Sequence, residues 1–405
     1  MLKKIPTRSA QLGMYIQSME GPWLAHPFWK SKFVLSESAD LDALLRSKVS
    51  AVWIDITKGS DLQPAKEPAL QALAAAPPPA AASAPAEPAP SARVPMASEL
   101  SRAAQVINGS RQKVISLFSE VRMGNAVNLE QCLPVVEDVA ESVSRNASAL
   151  ISLARLKTQD DYTYMHSVAV CALMVALARQ LGMDEAGTRE AGLAGLLHDV
   201  GKMLVPAAVL NKPGRLTDEE FAVIKHHPER GYALLKEGNA APLSALDVCL
   251  HHHEKMDGTG YPGKLKGEEI SLLARMGAVC DVYDAITSNR AYKSAWDPAV
   301  SLQRMAQWSG HFDTAIFQAF VKSLGIYPVG SLVRLESGRM AVVVEQGGGL
   351  LTPIVRVFFS TNSKMPVPVE LLDLGKPGVQ DRIVSREQPA DWGFTQIDEI
   401  WRLGA

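Results

Sequence analysis

The sequence predicts a mainly α protein: an all-helical bundle, with a small N-terminal α+β domain ahead of it and a small C-terminal β appendage behind. Three observations carry this. Apolar residues recur at helical spacing from about residue 98 to about residue 324. Stretches of strand character are confined to the two ends of the chain. Between the first strands and the first helix lies a segment of Ala and Pro that can bury no core and reads as a tether. The expected division is a small N-terminal domain of sensory or regulatory kind over 1–63, a linker over 64–94, the helical domain over 95–325 and the β-rich appendage over 326–405.

Composition narrows the function. A chain of 405 residues has room for two or three compact units. A formal charge of −2 gives no electrostatic case for DNA or for an anionic membrane. The four cysteines, Cys132, Cys171, Cys249 and Cys280, show no CxxC spacing and read as reduced thiols. The N-terminus has no apolar core of signal-peptide length. The longest apolar run, 168–178, is about half of what crosses a bilayer. The expectation is a cytoplasmic protein with no membrane span.

In the first domain, 12–16 and 51–56 read as strands and 40–48 as a short helix. Trp23, Phe28, Trp29 and Phe33 between them read as core packing of a small β-rich unit. His26 there stands alone and has no metal role. The segments 98–121 and 129–156 read as amphipathic helices, either bundle members or a dimerising stalk. Helices follow at 162–181, carrying His166, and at 188–199. Thr217 reads as a helix cap with Glu220 as its reciprocal partner. Pro228 suits the first turn of the next helix. Two more helices fall at 243–254 and 271–288. Beyond 327 the period changes, and 332–335, 340–344 and 354–359 read as strands with turns at Gly338 and at Gly347 to Gly349.

The chemistry centres on Leu196-Leu197-His198-Asp199-Val200-Gly201-Lys202, where an apolar helix ends in adjacent His and Asp. Alone, such a pair reads as a packed His beside a solvated Asp. The surroundings decide otherwise: of nine histidines, seven fall between His166 and His253, with Asp281 and Asp284 close behind. His166, His198 with Asp199, His227, His252 with His253, and Asp281 each sit on or at the end of a different predicted helix. Facing helices build metal sites in this way. Imidazole with carboxylate suits iron, manganese or zinc and argues against a thiolate-closed structural zinc site. Two metals about 4 Å apart can activate a water and neutralise a phosphoryl oxygen. Lys202, Arg290 and Lys293 are cations placed beside these ligands and suited to phosphate. The loop Asp257-Gly258-Thr259-Gly260-Tyr261-Pro262-Gly263-Lys264 reads as a plain turn by composition, though its glycines permit close approach and Tyr261 could stack on a base.

These residues, in this order, resemble the HD-GYP family of bacterial signalling phosphodiesterases. The likeness rests on His198-Asp199-Val200-Gly201-Lys202, Leu210-Asn211-Lys212-Pro213-Gly214, His227 with Gly231, His252-His253-Glu254, Asp257 to Pro262, and Asp281-Val282-Tyr283-Asp284-Ala285-Ile286-Thr287-Ser288. It covers roughly residues 160–324. The first unit resembles the small domain of unknown function that often precedes HD-GYP, through Leu12-Gly13-Met14-Tyr15, Trp23 with His26-Pro27-Phe28-Trp29, and Val52-Trp53-Ile54-Asp55.

The resemblance implies an HD-type metal-dependent phosphohydrolase bundle that hydrolyses cyclic di-GMP to pGpG, and in many members on to GMP. Carried over, one metal takes His166, His198, Asp199 and Asp281. The other takes Asp199 as bridge with His227, His252 and His253. Asp199 and Lys202 are the catalytic pair, and Lys202, Arg290 and Lys293 grip phosphate. Gly260 and Tyr261 shape the substrate side or dock a GGDEF-domain protein. Some members bind a third metal through a Glu at the position of Tyr162, which has no carboxylate, so two divalent ions are expected. Iron or manganese come first, with zinc, nickel or magnesium as alternatives. His251 and His226 are expected outside the ligand set, and Asp284 as a support for a ligand. A homodimer is a further expectation. The competing readings are a slow, metal-loaded cyclic di-GMP-binding module and a phosphohydrolase of another cyclic dinucleotide.

Overall fold

The computed structural model describes residues 2–20, 33–35, 41, 44, 45, 49, 51–60, 94–157, 162–212, 214–238, 241–289 and 295–402. The expected linker apart from Val94, the aromatic residues Trp23, Phe28 and Trp29 with His26, most of the 40–48 helix, and the cations Arg290 and Lys293 lie outside them. The side chain of Phe33 does so too. The chain divides into two compact units, Met1–Ala89 and Pro90–Ala405.

The first unit is an antiparallel sheet of β1 (Leu2–Pro6), β2 (Tyr15–Glu20), β3 (Phe33–Val34) and β4 (Ala51–Asp55), in the order β1-β4-β2-β3. The central β4 buries Val52 and Ile54 against Ile5, Met14, Ile16, Leu35 and Leu44. The strand expected from residue 12 starts only at Tyr15. Gly13 turns the chain with φ +89°, a conformation a Cβ disfavours. Its amide and carbonyl are tied to Leu35 and Ser60 instead of a ladder.

In the second unit, α1 (Met96–Arg122) and α2 (Leu129–Ala154) pack on each other through stripes such as Leu100, Val114, Phe118 and Val121 on α1 and Val135, Val136 and Val139 on α2. Asn128 caps α2 by accepting the Glu130 amide. The single helix expected over 129–156 is broken at Asn146, with φ −160° and ψ 98°. Its side chain repairs the break: the carboxamide accepts from Ala149 N and donates to the Val94 carbonyl.

Helix α3 (Tyr162–Gln180) is the axis of the bundle, buried on every side from Met165 to Ala178 against α2 and α4 (Glu185–Leu197). It is long and apolar enough to cross a membrane by length and composition alone, but most of it is buried inside the fold. That is what a central helix requires. Asp184 caps α4 through the Gly187 amide. Two short helices, α5 (Ala207–Leu210) and α6 (Asp218–Lys225), bury no residue at all. The expected capping box is present on α6: Glu220 N donates to Thr217 Oγ1, and the Thr217 amide donates to the Glu220 carboxylate. Then come α7 (His227–Glu237), with Pro228 in its first turn, α8 (Leu243–His251), α9 (Leu272–Thr287), α10 (Pro298–Met305) and α11 (Thr314–Leu324).

The C-terminal strands β5 (Leu332–Leu335), β6 (Arg339–Gly349), β7 (Thr352–Ser360), β8 (Met365–Asp373) and β9 (Ile383–Arg386) form one antiparallel sheet, in the order β8-β7-β6-β5-β9. Alternation along β5 and β6 splits their side chains. Leu332, Met340, Val342 and Val344 join the core of the bundle, whereas Val333, Leu335, Ala341 and Val343 form a second cluster with Val355 and Val357. The short α12 (Ile397–Arg402) buries Ile397 and Trp401 in the bundle core. Strands β8 and β9 and helix α12 add to the three strands the sequence predicts.

One carboxylate joins helices to sheet. Asp297 Oδ1 accepts from Ala299 N at 2.8 Å and Val300 N at 3.1 Å, capping α10, while Oδ2 accepts from Leu332 N of β5 at 2.8 Å. At the end of α2, Arg155 pairs with Asp398 of α12 at 2.9 Å, and Trp401 Nε1 donates to the same carboxylate. Asp297→Ala removes a cap and orphans a buried amide, together about 2–4 kcal/mol. Thermal unfolding of this variant should fall by several degrees, and an unchanged midpoint would contradict the junction described.

Candidate metal centre

Five helices deliver the candidate ligands to one point. His166 comes from the buried face of α3, and His198 caps the C-terminus of α4 with Asp199 directly after it. A 3-10 turn over Val200–Leu204 then swings Lys202 back toward Asp199. His227 opens α7, His252 and His253 close α8, and Asp281 sits in the middle of α9. The 3-10 turn presses against the start of α7. A Cβ on Gly201 would overlap the His227 carbonyl oxygen and come within 2.6 Å of Gly231 N. Gly201 and Gly231 are therefore required by a close backbone approach that seats His227 beside Asp199, and not by an unusual dihedral.

The tautomers follow from the backbone. The Nδ1 of His198 lies 2.7 Å from the Gly195 carbonyl, that of His227 lies 2.8 Å from the Ile224 carbonyl, and that of His252 lies 3.0 Å from the Val248 carbonyl. A carbonyl only accepts, so each Nδ1 carries the hydrogen and each Nε2 presents a lone pair to the interior. The Nε2 atoms of His227 and His252 then face each other at 3.3 Å with no proton between them. A cation placed between them would relieve the opposition of the two lone pairs.

Asp199 is fully buried and divides its oxygens. Oδ2 lies 3.3 Å from Nε2 of both His166 and His198, and 2.5 Å from Lys202 Nζ. Oδ1 lies 3.1 Å from His227 Nε2 and 3.7 Å from His252 Nε2. Asp281 spans the same gap. Its Oδ1 is 3.0 Å from His166 Nε2 and 3.9 Å from His198 Nε2, and its Oδ2 is 3.7 Å from His253 Nδ1. The donor atoms fall into two groups able to hold an ion: His166, His198 and Asp199, and His227, His252 and His253. The residues fit metal ions by an independent test. His198 Nε2 and Asp199 Oδ1 are buried polar atoms without a hydrogen-bond partner, a condition costing about 1–3 kcal/mol per group unless something else binds them.

Burial and neighbours set the charges. Burial would lower the His166 pKa, but hydrogen bonds to Asp199, Asp281 and Asp284 outweigh it and raise it to about 10. Burial pushes Asp199 up, yet the Lys202 ammonium holds it well below the carboxylate range. Asp281 is likewise held far down against burial, by the His166 hydrogen bond above all. Burial lowers His227, and with the repulsion of neighbouring imidazoles takes His252 well down and His253 to about 3. Their lone pairs are thus free at neutral pH, as ligation requires.

Around the mouth, Glu254 accepts from Gly263 N at 2.6 Å and Leu265 N at 3.1 Å, folding the loop over 257–264 back on α8. A Cβ on Gly260 would lie 2.5 Å from the Glu254 Cα, so the loop closes only with glycine there. Tyr261 is the loop's inward side chain. One face stacks on His253 at 4.7 Å, and Lys225 Nζ stands 4.8 Å from the ring centroid. His251 pairs with Asp247, and His226 with Glu229. Sequence reasoning missed Lys157, whose ammonium donates to both oxygens of Asp284 behind His166, and the bracing role of Glu254. No local signal marks Lys157, but the His-His-Glu run ahead of a glycine loop hints at Glu254.

Comparison with known proteins places this geometry. The chain matches the HD domain family model over residues 133–316, and the model for a domain of unknown function, DUF3391, over residues 2–132. It is 54% identical over 403 residues to a cyclic di-GMP phosphodiesterase of Pseudomonas aeruginosa, covering 99% of this chain and 96% of that protein. It is 37% identical over 234 residues to a cyclic di-GMP phosphodiesterase of Vibrio cholerae, covering 53% of this chain and 48% of that one. A 3′3′-cGAMP-specific phosphodiesterase of Vibrio cholerae is 29% identical over 205 residues, or 50% of this chain and 39% of that protein.

The raised His166 pKa makes a signed prediction. Near neutral pH the metal-free protein holds a proton on His166 Nε2, and an ion bound there must displace it. Loading should release about one proton, which calorimetry in buffers of different ionisation enthalpy would count. His166→Gln should abolish that release. Proton-free loading of the unsubstituted protein near neutral pH would contradict it.

Proposed function

The chain belongs to the HD domain family, with the DUF3391 domain ahead of the HD domain, and on that premise we propose that it hydrolyses cyclic di-GMP to pGpG. The observation that carries the reading is the divided carboxylate of Asp199, with one oxygen turned to each group of imidazoles. In this reading His166, His198, Asp199 and Asp281 hold one divalent ion, and Asp199, His227, His252 and His253 hold the other. Iron or manganese suit the imidazole and carboxylate set best, with zinc, nickel or magnesium as alternatives. Bound there, the ions supply Lewis acidity toward phosphate and acidify water.

The chain's own groups do the rest. Lys202 is partly exposed, and its ammonium is anchored by Asp199 while keeping further N–H bonds for a phosphate oxygen. It neutralises charge that grows on that phosphate. Arg290 and Lys293 are proposed as the other phosphate contacts. Tyr261 has one face on His253 and a cation beside its ring, which supports a wall of the substrate mouth better than a free stacking platform for a base. The outer side of the same loop is the proposed docking face for a GGDEF-domain protein, and α1 with α2 that of a homodimer. The four cysteines are free and buried, which suits the cytoplasmic setting expected from the sequence.

A second reading, action on another cyclic dinucleotide, is favoured by relatives of Vibrio cholerae specific for 3′3′-cGAMP, which are 29% to 35% identical against 54% for the cyclic di-GMP phosphodiesterase of Pseudomonas aeruginosa. Asp199→Ala should lose metal content together with turnover, by roughly a thousandfold or more, the several kcal/mol such a site contributes. Retained hydrolysis would overturn the reading. Lys202→Ala should keep both ions and lower kcat by roughly a hundredfold. Run on cyclic di-GMP and 3′3′-cGAMP side by side, the metal-loaded protein decides the substrate.

A further inference from the structure

We infer that Lys157 is a positioning residue for the metal centre, acting through Asp284 on His166. It lies just past the end of α2, outside every motif that marks the site, and 127 residues from its partner. Its side chain is fully buried, and its ammonium donates to both oxygens of Asp284, at 2.7 and 2.5 Å. Asp284 Oδ2 in turn faces His166 Nδ1 at 2.6 Å, and Ser288 Oγ donates to Oδ1 at 3.3 Å. Asp284 thus fixes His166 so that Nε2 points at Asp199 and Asp281.

His166 stands apart from His198, His227 and His252, whose Nδ1 atoms rest on backbone carbonyls. Its support is a side chain that could rotate. Chelation by Lys157 sets the plane of that carboxylate. It also compensates a third buried acid beside Asp199 and Asp281, a charge that would otherwise be strongly destabilising. Tyr162 completes the clamp. Its ring lies parallel to His166 at 5.7 Å, with Lys157 Nζ 5.5 Å from its centroid. Two residues before Lys157, Arg155 is held by Asp398 of α12, so the supporting stretch is fixed against the C-terminal module.

The inference rests on the metal-dependent reading of the site, and its test reads metal directly. Lys157→Met and Lys157→Arg would be loaded with cobalt, titrated against a chelator, and recorded in the visible ligand-field bands alongside kcat and KM. Lys157→Met should lose roughly 10- to 100-fold in affinity for one of the two ions, with altered bands. Its kcat should fall while KM stays within about twofold. Lys157→Arg should restore most of the affinity, because a guanidinium can still donate to Asp284. If Lys157→Met does not fold, the isosteric Asp284→Asn decides, with the same loss expected. Wild-type affinity for both ions with unchanged bands, in whichever variant folds, would overturn the inference. If the unsubstituted protein binds two ions but leaves cyclic di-GMP intact, the substrate assignment fails while these readouts still judge Lys157.

Discussion

A cluster of lone pairs aimed at one another is the constraint that the helical unit is built to meet. Backbone carbonyls hold the hydrogens of three imidazoles on the outward nitrogens, leaving Nε2 atoms 3.3 Å apart across the centre. Two buried carboxylates reach into the same space. Lys202 answers Asp199 Oδ2 and Lys157 answers Asp284 behind them, but neither reaches His198 Nε2 or Asp199 Oδ1. Bound metal ions would resolve the arrangement, whose parts otherwise repel or stand unsatisfied.

The bundle supplies the rigidity this demands. Its central helix α3 is apolar on every side, so His166 emerges from a segment with no freedom to tilt. Two glycines, Gly201 and Gly231, let the turn after Asp199 sit against the start of α7. By contrast, α5 and α6, which lie in the chain between Lys202 and His227, bury nothing. Low local stability belongs in such a segment, and the ligands sit outside it. Rigid ligands and a loosely held connection between them suit a site that must keep its geometry while admitting a large substrate.

Much of this was legible in the chain. Helical periodicity gave α1, α3 and α9 nearly to their ends, because each buries a continuous apolar face. The ligand set stood out because His and Asp are rarely placed in apolar helices without something to bind. Other features left no local trace. Nothing in the sequence around Lys157 marks it, since its partner Asp284 is on a distant helix. Asn146 breaks a periodic segment whose apolar pattern runs on through it. Strand β8 is a sheet edge, largely exposed, and Pro366 and Pro368 within it break the strand signal that its alternating Met365, Val367, Val369 and Leu371 would otherwise give. Gly201 follows a helix end, where a turn alone would account for a glycine, whereas the reason for it is the backbone packed against it.

The supports of the imidazoles differ in what heredity can reach. Carbonyls hold His198, His227 and His252, and no codon change at Gly195, Ile224 or Val248 deletes a carbonyl. His166 leans on Asp284, and every member of that chain of contacts is encoded as a side chain. Natural variants that retune this centre while keeping it intact should therefore accumulate around α3 and α9, on the His166 side, and leave the opposite imidazoles as they are.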